Sequence, residues 1–499
     1  MTRSSHVAPA PDITLANLTA TEAAGHIRDG GLTAEAYASA LLANWRANRD
    51  LNALTYCDEA RVMEAARSVD LARRKDEPLG LLGGIPVAVK DNIDTIGFPT
   101  SASTAALKSN HPGSNAPVVS ALLQAGAFVF GKANMHELAG GGTSSNPTFG
   151  AVGNPYDPSR VAGGSSGGTA AAIAARIVPV GLGTDTAGSV RIPSAFCGTA
   201  ALRPTSVGGV RYSLDGVVPL AVDLDTVGPM ARTVEDVALM HAAIAGTPHA
   251  TSARLKDMRI GVPRQHYWEA LDPEVERVTK AALARLQSAG ATLIEVDASY
   301  LPEANETFWT LINVGMRDDL ADFFRRHAID LDATEVVDAI ASLDTRRMFQ
   351  LAREAPLTAA AVATARGAAR ARIRDGYDAM FRAHGLHAIA FPTEPLPAPP
   401  INRDGDYFEE EITVNGAVVS KVGVFIQNTR FTCALGVPGL SLAAGLTSDG
   451  LPVGLEFDGL AGRDTELLSL GLAAEMELGR LPPPDPKRPA ASARTTQAT

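Results

Sequence analysis

Two glycine-flanked serine sites stand 24 residues apart in one stretch, Gly163 to Gly198: GGSSGGTAAAIAARIVPVGLGTDTAGSVRIPSAFCG. Ser165 and Ser166 form the first, Ser189 the second. A serine hydroxyl attacks a carbonyl carbon when an adjacent base takes its proton. Glycines beside it let backbone N–H groups approach a substrate oxygen with no Cβ in the way. Acyl transfer is the chemistry such a pairing suits. The base is a separate question. Most serine hydrolases use histidine, but the ten here, His6, His111 and His249 among them, sit in no distinctive local context. Lys90 is the other candidate, since it follows the apolar run Ile85 to Val89 and precedes Asp91-Asn92. In water such a lysine is a solvated cation. In a partly desolvated site it can lose its proton near neutrality. A single Gly/Ser loop is an ordinary connection, whereas two of them around one helix and strand point to a site.

The elements that must position these residues can be read around them. Ala170 to Ala175 predicts a helix, because alanine loses no side-chain entropy on ordering. Ile177 to Leu182 predicts a buried strand. The loop Gly183 to Ser189 then leaves the strand's C-terminal end, where open α/β sheets place their ligands. Elsewhere helix and strand alternate. Thr19 and Glu22 fit a capping box opening a helix through Ile27. SNAPVVSALLQAG reads as a helix stopped by Gly126, with AFVFG following as a strand. Asp272 caps a second such unit, Pro273 takes its first turn, and Val275, Val278, Ala282 and Leu286 form its apolar stripe. Gly290 stops it and ATLIEVD runs on as a strand. Asn415-Gly416 between two apolar runs predicts a hairpin. The expected fold is one large α/β domain over residues 13–480. Its twisted mixed sheet, mostly parallel, would be covered by helices on both faces. Residues 1–12 and 481–499, rich in Pro, Ala and Ser, are expected to be disordered tails.

Two longer segments bear on the site. Gly140 to Gly168 is dominated by Gly, Ser, Asn and Pro and ends at the first serine pair, so it is expected to form one wall. Asn305 to Phe391 reads as mostly helical and carries Phe308, Trp309, Met316, Phe323, Phe324, Met348 and Phe349. In a chain with only 5% aromatic residues, these compete for two roles: core, or the wall of an acyl pocket.

Composition narrows the class of function. The 499 residues are 45% hydrophobic and 20% charged, which is globular. A net charge of −11 argues against nucleic acid or an anionic membrane as a partner. Cys57, Cys197 and Cys433 show no CxxC spacing, so a zinc site or disulfide framework is not expected and a reducing, cytoplasmic setting is. No apolar run approaches the roughly 20 residues that span a bilayer. MTRSSHVAPAPD lacks the apolar core of a signal peptide. A homodimer is the default assembly.

The central stretch resembles the signature of the amidase signature family: GGSSGG, an alanine-rich helix, then GTD-x-GGS-x-R-x-P. The resemblance extends upstream through GIPVAVKDNID (84–94) and GKANMHEL (131–138), and downstream through LRPT (202–205) and DGLPVGLE (449–456). It implies a Ser-Ser-Lys triad. Ser189 is the implied nucleophile and Ser165 the bridging serine, with a cis peptide to Ser166. Lys90 is the implied base that draws a proton through Ser165. The backbone N–H groups of Thr186, Ala187, Gly188 and Ser189 are implied to form the oxyanion hole, and Ala139 falls on a substrate-binding position. Asp185 and Arg191 are implied to brace the loop; their plain reading is a surface ion pair. No metal or organic cofactor is implied, and the partner is a small-molecule amide. One departure stands out, since many members carry two glycines before the nucleophile and this chain has Ala187-Gly188. Allophanate hydrolases show a similar pair. ALRPT, RYS…DGVVPL and the Asn-Gly hairpin look more like the indoleacetamide and mandelamide hydrolases, which implies an arylacetamide-like substrate.

Three rival readings have weaker motifs. Gly126-AFVF-Gly131-Lys132 nearly matches GxxxxGK[ST], but Ala133 lacks the hydroxyl for magnesium and AFVF reads as a strand. GGSSG fits the GxSxG nucleophile elbow, yet NPYDPSRVA before it is no strand. A glutamine-dependent amidotransferase subunit typically carries Gln after the motif's arginine, where this chain has Ile192.

Overall fold

A computed structural model of the protein describes residues 13–207, 211–401, 411–414 and 417–485. Among them, eleven strands form one mixed sheet. In chain order these are β1 (Leu54–Tyr56), β2 (Pro86–Lys90), β3 (Phe128–Ala133), β4 (Val180–Asp185), β5 (Ala200–Arg203) and β6 (Thr226–Ala231). They continue as β7 (Arg259–Pro263), β8 (Thr292–Val296), β9 (Ala388–Pro392), β10 (Gly439–Leu446) and β11 (Pro452–Asp458). Their order across the sheet is β1-β3-β2-β4-β6-β5-β10-β11-β9-β7-β8. Parallel pairing occupies two blocks, β3-β2-β4 and β9-β7-β8, each built from helix-linked strands. The strands between the blocks pair antiparallel. Helices cover the sheet, and the chain forms a single α/β domain.

Local sequence accounts for several elements directly. Thr19 caps the helix Ala20–Asp29 in a full capping box with Glu22. Asp272 accepts the Glu274 N–H at the start of Pro273–Ser288, which buries Val275, Val278, Ala282 and Leu286 and runs into β8. Pro117–Gln124 leads into β3 in the same way. The strands Glu411–Val414 and Ala417–Ser420 pair antiparallel as a hairpin, although Asn415 and Gly416 lie outside the described residues. So do residues 1–12 and 486–499 of the expected tails. Leu481 and Pro482 lie against the body, where the Pro482 carbonyl accepts the Tyr156 hydroxyl at 2.8 Å.

Two expected boundaries move. The helix after the first serine pair spans Gly167–Ala174, so it begins on two glycines rather than at Ala170. Close packing explains this: a Cβ on Gly168 would meet the Asn134 carbonyl oxygen at 2.3 Å. The following strand spans Val180–Asp185, later than Ile177–Leu182. Its polar end, Gly183-Thr184-Asp185, stays in the ladder because β6 pairs with it through Asp185↔Thr226.

Apolar side chains form two clusters. One packs the sheet against the N-terminal helices. The other gathers the long helix Leu301–Arg326 with Phe349, Phe381, Phe391 and Phe425, and reaches Ala139, Ala187, Ile192 and Phe196.

Candidate active site

The site sits where the parallel block ends. β2 and β4 run side by side in register Val87↔Val180 and Val89↔Leu182, so Lys90 and Thr184 emerge together at the C-terminal edge. Lys90 has no exposed surface. Its Nζ donates to Ser165 Oγ at 2.7 Å, to Thr184 Oγ1 at 2.7 Å and to the Thr184 carbonyl at 3.3 Å. Burial pushes its pKa down to about 7, against the opposing pull of Asp185 and Asp225. This lysine is not a solvated cation. It is a base able to take a proton near neutrality.

The serines arrive on helix starts. Ser165 and Ser166 immediately precede the helix Gly167–Ala174, and Ser189 lies two residues before the helix Arg191–Cys197. Ser166 N–H donates to the Ser189 carbonyl at 3.1 Å, which fixes the two serine segments against each other. The Ser165 carbonyl accepts the His136 N–H at 3.1 Å and the Ser144 hydroxyl at 3.3 Å. Ser166 Oγ donates to the Thr184 carbonyl and accepts the Thr184 N–H. The cis peptide lies between Gly164 and Ser165, not between Ser165 and Ser166 as expected. Both faces of the Ser165–Ser166 peptide group are engaged by the bonds just named. Ser144, inside the long Gly140–Gly168 segment, also accepts the Gly167 N–H at 3.1 Å, so that segment does flank the serines. It is not structureless, because Gly153–Asn154 pairs with Asp157–Val161.

The turn from Thr186 to Ser189 follows β4. Gly188 N–H donates to Asp185 Oδ1 at 3.0 Å, so it is committed to bracing the turn and is removed from the expected oxyanion donors. The N–H groups of Thr186, Ala187 and Ser189 have no partner among the described residues. Only Gly188 takes positive φ, at +128°, and a Cβ there would stand 2.3 Å from Thr429 Oγ1. Ala187 therefore keeps its methyl without backbone strain, and the missing second glycine is tolerated. Gly188→Ala is expected to lower kcat by about a hundredfold or more, since the turn that aims the donors must shift. Ala187→Gly should stay within about tenfold of the parent, and steady-state kinetics on both variants checks the contrast.

Asp185 and Arg191 form a buried pair, not a surface one. Arg191 donates to both Asp185 oxygens at 3.0 Å, to Thr432 Oγ1 at 2.9 Å, to the Thr429 carbonyl at 3.0 Å and to Glu456. Arg203 adds bonds to the Asp185 carbonyl at 2.6 Å and to Oδ1 at 3.0 Å. Burial alone would raise the Asp185 pKa, but the two guanidinium groups hold it well below the usual carboxylate range. Burial pushes Glu456 and Asp458 upward. Asp225 holds the turn from the other side, accepting Thr186 Oγ1 at 2.6 Å and the N–H groups of Leu220 and Ala221. Thr184, Arg203, Asp225 and Glu456 carry no site role in the sequence reading. Thr184, Arg203 and Glu456 lie inside GTD, LRPT and DGLPVGLE, and that was their only signal.

Ala139 gives its N–H to the His136 carbonyl at 3.0 Å, so that N–H is not free to donate to an anion. Glu137 Oε2 accepts the N–H groups of Ala341 and Ser342, and His136 Nε2 lies 3.4 Å from Asp344. These bonds clamp the helical segment to the site. Phe308, Met316, Phe323, Phe324 and Phe349 share one apolar cluster with Ala139, Ala187 and Ile192, whereas Trp309 is partly exposed. Lys132 of the phosphate-loop look-alike ends in β3, bonded to the Ile93 carbonyl and Thr100.

Comparison with known proteins places the chain in one family. The family model described as Amidase matches residues 36–468. An indoleacetamide hydrolase of Agrobacterium vitis is 37% identical over 442 residues, covering 87% of this chain and 91% of that protein. A mandelamide hydrolase of Pseudomonas putida is 36% identical over 485 residues, covering 94% and 92% respectively. A crystal structure of an amidase superposes with a TM-score of 0.81 at 32% identity, over 93% of this chain and all of that one.

Proposed function

Because the chain belongs to the amidase signature family and is an amide-hydrolysing enzyme, we propose that it cleaves small aryl or arylacetic carboxamides through an acyl-enzyme on Ser189. One observation carries the mechanism: a fully buried Lys90 with its pKa near 7, whose Nζ lies 2.7 Å from Ser165 Oγ. Ser189 Oγ attacks the carbonyl carbon while its proton passes to Ser165 Oγ, and the Ser165 proton passes to Lys90 Nζ. The resulting oxyanion accepts hydrogen bonds from Thr186, Ala187 and Ser189 N–H groups, which are already oriented. Lys90 then returns the proton through Ser165 to the amide nitrogen, the C–N bond breaks, and ammonia leaves. Water adds to the ester, again giving a proton to Lys90. That proton goes back to Ser189 Oγ as the acid departs.

The substrate class is supported by the apolar cluster beside Ala139 and Ala187, to which aromatic residues of the Leu301–Arg326 helix contribute. An apolar wall favours an aromatic acyl group over a polar one. The relatives named as indoleacetamide and mandelamide hydrolases agree with that choice. The test is ammonia release by the purified chain, with no partner, nucleotide or added metal, over phenylacetamide, mandelamide, aliphatic amides, allophanate and glutamine. Aromatic amides should lead by about tenfold or more in kcat/KM, since each apolar contact contributes about 1–3 kcal/mol. Turnover of allophanate with phenylacetamide inert, or of glutamine only after a second protein is added, would refute the assignment. The purified chain is expected to act alone.

A further inference from the structure

The helices that begin at the serines both end at a second cavity. Gly167–Ala174 and Arg191–Cys197 run away from the active site, and Ala174 and Cys197 line a cavity of about 170 Å³ at their far ends. Its walls include Arg176, Arg232 and Arg480, together with Tyr156, Thr199 and Thr233. Among the described residues, no carboxylate lines it. In a chain of net charge −11, three guanidinium groups around one cavity are a local reversal of sign.

The charges there are poorly compensated. Arg176 Nη1 donates to the Ala174 carbonyl at 3.0 Å, and Arg232 donates to the carbonyls of Val178 and Leu18. These are neutral acceptors. Arg176 Nε is buried without a partner among the described residues. Burial, together with repulsion from Arg232, pushes the Arg176 pKa down to about 10. The nearby carboxylates are occupied elsewhere. Asp236 takes the N–H groups of Ala20 and Thr21 and the Thr21 hydroxyl. Glu475 takes the Val234 N–H, and burial raises its pKa to about 7, which weakens it as a counter-charge to Arg480.

Backbone geometry supplies an independent sign. Arg176 stands just past the end of its helix at φ +59°, in the left-handed region that favours glycine. The helices Ala20–Asp29, Arg191–Cys197 and Val234–Ala245 put glycine at their left-handed ends: Gly30, Gly198 and Gly246. Here an arginine holds that conformation and places its guanidinium in the cavity wall. Strain of this kind gathers at ligand clamps.

We propose that this cavity binds a small oxyanion, a phosphate or a carboxylate, between Arg176, Arg232 and Arg480. Planar guanidinium groups pair two-to-two with such oxygens, and the Thr233 hydroxyl, which accepts the Asp236 N–H, stands beside them, whereas Tyr156 and Thr199 already donate to the Pro482 carbonyl and to Ser194 Oγ. The site is separate from the serines and takes no part in the hydrolysis.

The experiment is a thermal-shift and calorimetric titration of the full chain with inorganic phosphate and, in parallel, acetate. Sodium chloride holds ionic strength constant, which removes screening and excluded-salt effects. Saturable stabilisation at millimolar phosphate is expected. Arg480→Gln, at an exposed residue, should weaken binding about tenfold with turnover of phenylacetamide unchanged. Arg176→Gly relieves the left-handed residue, so it should fold, keep turnover and lose the response. Phosphate acting alone would assign a phosphate or phosphomonoester ligand; acetate acting equally would assign a carboxylate. The proposal is overturned if the parent shows no saturable response to either anion, or if both variants respond as the parent does.

Discussion

Lys90→Met should cost turnover at least four orders of magnitude and yet leave the protein as stable as the parent or more so at pH 6. The first half follows from its proposed place as the base: on that reading the Ser189 proton has no acceptor without it, and losses of this size accompany removal of a triad member. The second half follows from burial. The folded-state pKa is depressed from 10.5 to about 7. Below about pH 7 both folded and unfolded chains carry the proton, and the full cost of burying a cation is present. Between about 7 and 10.5 the unfolded chain binds more protons than the folded one, so the parent's stability rises with pH. The shift corresponds to an upper bound of about 5 kcal/mol. Lost hydrogen bonds to Ser165 and Thr184 return about 1 kcal/mol each. Lys90→Met should therefore melt above the parent at pH 6, with the gap closing towards pH 10. In the parent, kcat/KM should fall about tenfold per unit below a pKa near 7. Melting curves at four pH values and a pH–rate profile check both halves. A variant that melts lower at pH 6 than at pH 9 relative to the parent would refute the neutral-lysine account.

Much of this site was legible because its chemistry lies in short stretches. Ser165, Ser166 and Ser189 stand within one glycine-rich run, and Lys90 closes an apolar strand that its neighbours mark. The helix Pro273–Ser288 was equally plain, since its cap, its proline and its apolar stripe are all local. What was not legible depends on distance in sequence. Glu456 meets Arg191 across 265 residues and Thr429 meets Ala187 across 242, contacts that only the assembled sheet creates. Asp225 carries no local mark; it matters because β6 returns antiparallel beside β4 and brings it under Thr186. The end of β4 was misplaced for a related reason. Thr184 and Asp185 look like loop residues by polarity, but pairing with β6 keeps them in the strand after the β2 ladder has ended at Leu182, which sequence polarity does not report. The commitment of Gly188 N–H to Asp185 likewise needs coordinates, because a glycine in a serine loop reads as a donor wherever it points.

Ser189→Ala should abolish turnover with almost no effect on stability, and that asymmetry separates it from its neighbours. Ser189 Oγ makes no hydrogen bond to another group among the described residues, so replacing it leaves no partner unpaired; the change in stability should stay within about 0.5 kcal/mol. Ser165→Ala differs, because Ser165 Oγ is bonded to Lys90 Nζ and its loss leaves that nitrogen with Thr184 alone. Turnover by Ser189→Ala should fall between about ten-thousandfold and a millionfold, to what binding and the oriented N–H groups still provide. Combining it with Lys90→Met should cost little more than either change alone, since the two residues act as one unit. A fluorophosphonate supplies the direct readout. It should form a single covalent adduct at Ser189 in the parent, more slowly in Lys90→Met because the hydroxyl has lost its base, and not at all in Ser189→Ala. Peptide mapping by mass spectrometry locates the adduct. An adduct on Ser165 or Ser166, with amide hydrolysis surviving in Ser189→Ala, would move the nucleophile to the other end of the Gly163–Gly198 stretch. If that serine is Ser165, its proton would pass directly to Lys90, with no bridging serine.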